Sequence, residues 1–91
     1  MNTGNFYKMA VTNSAQLYGW TKIYEKPHVT GFFNELKRCH LDVYIIEKRV
    51  ITCLEHPKGT TVLERVNIDF FELQDIFKDP RIHTSKGKKL L

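Results

Sequence analysis

The stretch Leu41 to Asn67 constrains this chain most, because apolar runs and reversal signals alternate in it. Leu41 to Ile46 and Val50 to Leu54 are rich in β-branched and aliphatic residues, and the charged Glu47-Lys48-Arg49 separates them. His56-Pro57-Lys58-Gly59 then leads into Thr60 to Val66. Three such runs with two reversals predict a three-stranded antiparallel meander. Both parities of its first two strands are apolar, with Val43 and Ile45 on one and Tyr44 and Ile46 on the other, which implies burial on both faces of the sheet. One face would take helices, and the other the N-terminal segment or a partner.

The last helix is marked by Asp69 with Glu72 three residues on, a capping box in which Asp replaces Ser or Thr. Phe70, Leu73, Ile76 and Phe77 form its apolar stripe. Glu72, Asp75 and Asp79 form an acidic stripe roughly opposite, Phe71 belongs to neither, and Pro80 ends the helix. A second amphipathic helix is expected from Gly31 to Cys39. Thr30 would be its N-cap, and Phe32, Phe33, Leu36 and Cys39 would share one broad face.

Met1 to Asn5 offers nothing to bury and is expected to be loose. From Phe6 to Lys26, Tyr18, Trp20, Lys22 and Tyr24 alternate with Leu17, Gly19, Thr21 and Ile23, the period of a strand. A helix capped by Ser14 is the alternative, but Gly19 inside it would cost about 1 kcal/mol relative to Ala. An extended segment is therefore expected. The sum is an α+β fold with a three- or four-stranded antiparallel sheet, in αβββα order after an N-terminal segment, packed against two helices. One small globular domain would span residues 1–80, and residues 81–91 would form a basic flexible tail.

The net charge of +4 sits at one end. Residues 1–80 carry ten Lys or Arg against ten Asp or Glu, whereas 81–91 carry Arg81, Lys86, Lys88 and Lys89 and no acid. A neutral body argues against a fold that reads phosphate backbones with one basic face. Met1 to Val11 lacks the apolar core of about 7 to 15 residues that a secretory signal needs, and no apolar run approaches a membrane span. An intracellular, cytoplasmic setting is expected, with no membrane contact and with Cys39 and Cys53 as free thiols.

Cys39, His40, Cys53 and His56 make a tetrahedral donor set for zinc by type. Cys39 and His40 are adjacent, however, and neighbours on an extended backbone point to opposite faces. Neither metal nor cofactor is expected. No Ser or Cys lies in a Gly-flanked nucleophile elbow and the five glycines are scattered singly, so an enzyme is not expected either.

From Thr30 to Lys78 the expected order of helix, three strands and helix resembles the double-stranded-RNA-binding type of fold, and within it the small HicA-type RNA-cleaving toxins. His56-Pro57-Lys58-Gly59 followed by Thr60-Thr61-Val62 resembles that family's hairpin, and Ile68 to Phe77 its closing helix. The resemblance covers about half the chain. The family's catalytic histidine would fall near Lys48 to Val50, where this chain has none, so the resemblance implies topology without ribonuclease chemistry.

The function expected is a small non-enzymatic module that binds a protein partner as an inhibitor or adaptor, on a nucleic-acid-handling machine if the basic tail also takes part. Tyr18, Trp20, Tyr24 and Phe71 are the candidate aromatic anchors, and Glu72, Asp75 and Asp79 the candidate contacts to a basic partner surface. The alternative is an RNA- or DNA-binding domain that uses Arg81, Lys86, Lys88 and Lys89.

Overall fold

The computed structural model describes residues 3–81 and 87–90, the first four of them by their backbone. Its elements are helix α1 (Thr3–Leu17), strands β1 (Thr21–Glu25), β2 (Thr30–Asn34), β3 (Cys39–Tyr44), β4 (Arg49–His56) and β5 (Gly59–Arg65), helix α2 (Phe70–Lys78) and the short strand β6 (Lys88–Lys89). The strands form one antiparallel sheet in which spatial order equals sequence order. The α+β class holds, but the sheet has six strands among the described residues, which corrects the expected three or four.

Three local readings account for the difference. The expected helix Gly31 to Cys39 is instead a strand, a turn and the first residue of the next strand. Asn34 Oδ1 accepts from Lys37 N at 3.0 Å and Arg38 N donates to Glu35 O, while Arg38 takes the left-handed conformation at φ 49°. A tight turn of this kind uses near-helical angles, so its sequence mimics a helical period. The stripe is split up: Phe32 and Cys39 enter the core, Phe33 faces the other way, and Leu36 is 97% exposed. The β3–β4 turn repeats the device with Lys48 at φ 53°.

The N-terminal segment, expected to be extended, is helical up to Leu17, and only Thr21–Glu25 is a strand. Gly19 lies beyond the helix rather than inside it. With φ 87° it donates to Gln16 O, and Trp20 N donates to Ala15 O, the paired bonds of a Schellman stop. The buried side of α1 is made of Val11, Ser14 and Ala15, small groups that leave little apolar signal. The Lys88–Lys89 part of the expected tail pairs with Glu64 and Leu63, and Leu90 N donates to Val62 O at 2.7 Å.

Both helices lie on one face of the sheet. Along β3 and β4 every second residue is buried beneath them, and Phe32, Leu41, Thr52 and Leu63 are register partners across four strands. Phe77 stands edge-on to Phe32 with centroids 5.6 Å apart and tilts against Trp20 at 6.0 Å, while the Trp20 indole N–H donates to Phe77 O at 2.9 Å. The Asp69 carboxylate accepts from Glu72 N at 2.8 Å and caps α2. The result is a small compact domain. None of its helices, among the described residues, is long and apolar enough to cross a membrane.

Candidate functional site

Two surfaces collect groups that the core does not use: the sheet face away from the helices, and a cleft at the end of the molecule where the β3–β4 turn meets the start of α2.

On the open face, Tyr24 of edge strand β1 is the register partner of Gly31. A Cβ at position 31 would overlap the Tyr24 ring, so glycine is what lets the ring lie flat across β2 and reach β3. There the phenol donates to Asp42 Oδ1, and His40 Nε2 lies 3.2 Å from the same oxygen and 3.3 Å from the phenol oxygen. Burial pushes the His40 imidazole below its ordinary value and the Asp42 carboxyl above its own. A neutral imidazole with its proton on Nε2 and an ionised carboxylate satisfies this set at neutral pH, with the phenol and the imidazole both donating to Asp42.

Cys53 is the cross-strand partner of His40. Burial, then the Glu55 and Asp42 carboxylates, hold its thiol pKa up. Cys39 points into the core, where burial pushes its thiol up to about 12 despite the opposing pull of Arg81. The arrangement supplies fixed hydrogen bonds but no thiolate nucleophile. His56 is at the far end of β4, bonded to Thr61 Oγ1 at 2.9 Å. The four candidate zinc donors thus diverge, and among the described residues no three His, Cys, Asp or Glu are grouped to hold a metal.

Elsewhere on this face the Arg49 guanidinium stacks on Tyr44 at 4.0 Å and bonds Glu47 at 3.1 Å and Glu64 at 2.9 Å. The hydrogen bonds it donates to Glu64 and then to Glu47 raise its pKa and fix its charge. Phe33, His40, Cys53 and Val62 form one half-buried row across β2 to β5.

The cleft encloses about 460 Å³ between Tyr7 of α1, Ile45, Ile46 and Lys48 of the β3–β4 turn, and Ile68, Asp69 and Phe70 leading into α2. Tyr7 and Phe70 make its floor, edge to face at 5.8 Å. Ile46 and Phe71, both 75% exposed, and Val66 are large apolar groups left in solvent, with the Phe71 ring 6.5 Å from Phe70.

The expected anchors do not form one surface. Trp20 is 2% exposed and belongs to the core, which removes it as a contact. Tyr18 is half-buried beneath the Lys78 ammonium at 5.8 Å, and Tyr24 is held in the Asp42 cluster on the opposite face. Only Phe71 stands free beside the cleft. Glu72 is paired with Arg65 at 2.5 Å, Asp75 is exposed, and Asp79 accepts from Arg81 N. Among the tail candidates Arg81 bonds Lys37 O at 2.8 Å and Glu55 O at 3.3 Å, Lys88 and Lys89 are exposed on β6, and Lys86 lies outside the described residues. Ile46 and Tyr7 were missed. The signal for Ile46 was present: of two adjacent β-branched residues entering a turn, only one can face the core.

Comparison with models of known protein families, with curated proteins and with solved structures gives no match for this chain.

Gly31→Ala is expected to destabilise the domain by about 1–3 kcal/mol, because the ring must leave Asp42 to make room. Adding Gly31→Ala to Tyr24→Ala should cost almost nothing more, which chemical denaturation of the four variants in the cycle measures.

Proposed function

We propose that this protein is a small non-enzymatic binding module, an inhibitor or adaptor that takes a protein partner at the Phe71 cleft. The observation behind this reading is a cleft lined by Tyr7, Ile45, Ile46, Ile68 and Phe70, with Ile46 in its wall and Phe71, whose ring lies 6.5 Å from that of Phe70, both largely exposed. An apolar patch of this kind on a small domain marks an interaction surface, and an exposed aromatic beside a preformed pocket is the usual anchor of one. Asp69 at the cleft and Asp75 one turn beyond Phe71 favour a partner segment that sets an aliphatic or aromatic side chain next to a basic one.

The test is capture from nuclease-treated lysate by the wild type and by Phe71→Asp, Ile46→Asp and Asp75→Lys variants, followed by affinity measurement on the purified partner. Phe71→Asp should weaken binding by about 30-fold or more and leave the melting temperature unchanged. A partner bound equally well by all three variants, or capture lost only on nuclease treatment, would defeat the reading.

A further inference from the structure

We infer that the open face of the sheet is a self-association surface, on which a second copy of this chain stacks face to face across a two-fold axis. The first ground is composition. A solvated face of a two-layer domain ordinarily alternates polar residues outward, yet here Phe33, Tyr44, Ile51, Cys53 and Val62 point away from the helices. Both helices pack on the other side, so neither helix covers these groups, which are half-buried among their neighbours on the face, Tyr44 beneath the Arg49 guanidinium.

Charge supplies the second ground. A buried ion without a partner is what normally forbids covering a polar surface. On this face the central charges are already matched within the copy, Asp42 by Tyr24 and His40, and Arg49 by Glu47 and Glu64. In a two-fold contact each patch meets itself, so a face of one sign would repel its copy. A face whose charges are compensated internally would not. The same compensation disfavours a nucleic acid, because Arg49 is saturated by carboxylates, and Asp42 and Glu64 would face the phosphates.

The third ground is extent. Six strands at about 4.8 Å spacing span roughly 24 Å, and with strands of about 17–20 Å the face projects on the order of 400–500 Å², less than the roughly 800 Å² per partner of a stable interface and suited to a weak, concentration-dependent one. Two such sheets would stack about 10 Å apart. The cleft at Phe71 lies on the helix side, so the dimer would display two partner sites, and dimerisation does not rest on the cleft being one.

Sedimentation equilibrium of the full chain from about 1 μM to about 1 mM is expected to show a mass that rises from that of the monomer towards twice that value. Ile51→Glu, which sets an unmatched third carboxylate between its register partners Asp42 and Glu64, should weaken association at least about 100-fold while the far-ultraviolet circular dichroism stays that of the wild type. Phe71→Asp should dimerise normally. Dilution of the wild type followed by methyl NMR provides a measurement that needs no variant, with Ile51 and Val62 shifting and Ile46 and Leu36 not. A monomer throughout the range, a dimer whose shifts map to Ile46 instead, or oligonucleotide-dependent shifts of Ile51 and Val62 without dimer would each overturn the inference.

Discussion

Trp20→Ala should lower the stability of the domain by about 3–5 kcal/mol, and for a chain of this length that moves the melting midpoint down by more than about 10 °C. The indole is 2% exposed, and its loss opens a cavity against Phe77 and leaves the Phe77 carbonyl at the end of α2 without the 2.9 Å bond it accepts. Total stability in such domains is about 5–15 kcal/mol, so a large share is at stake. The opposite result, a fully stable variant that has lost partner binding, is what a surface anchor would give, and it would return Trp20 to the interaction surface. Thermal unfolding read by circular dichroism separates the two outcomes.

Phe77→Ala is expected to cost a similar amount, about 3–5 kcal/mol, for a different reason. Phe77 is the fully buried ring that stands between β2 and the β1 entry, in contact with both Phe32 and Trp20. Its removal uncouples α2 from two strands at once. Because Trp20 and Phe77 touch, the double variant should cost less than the sum of the two single changes, by roughly 0.5–1.5 kcal/mol of shared aromatic contact. Additive losses in urea titrations would show that the two rings act on separate parts of the core.

What could be read from the sequence follows from which forces leave a trace in residue order. The end of α2 and its start were legible because a cap, an apolar stripe and a proline each mark them independently at Asp69, Leu73 to Phe77 and Pro80. The segments of β4 and β5 were legible from β-branched runs and the Pro57-Lys58-Gly59 reversal. Strand β2 was not, because Phe32, Phe33, Leu36 and Cys39 satisfy a helical stripe, and only the left-handed Arg38 distinguishes a turn there. Nor was α1, whose contact side of Val11, Ser14 and Ala15 is small, and whose stop at Gly19 looks like an interruption. Strand β6 rests on backbone pairing to Leu63 and Glu64, which any residues could make, and on Gly87, where a Cβ would come within 3.2 Å of Leu63 Cβ. Of the site, Phe71 and Asp75 were legible as a residue off the stripe and an exposed acid. The cleft beside them was not, since it joins α1, a turn and α2 from three distant parts of the chain.

The strict neighbour order of the sheet has a kinetic consequence. Each of the first four strand pairings closes through a short turn, so the entropy of loop closure is small at every step from β1 to β5. Local pairing of this kind gives low contact order and fast folding. The long closures are those that bring α2 back over the sheet, such as the bond from Trp20 to Phe77 across 57 residues. During synthesis the five hairpin-linked strands leave the ribosome after α1 but before α2, which shares the covering of their apolar face with α1. For that interval the part of the sheet that α2 will cover is exposed on both sides, which is when a chaperone, or another nascent copy, meets it.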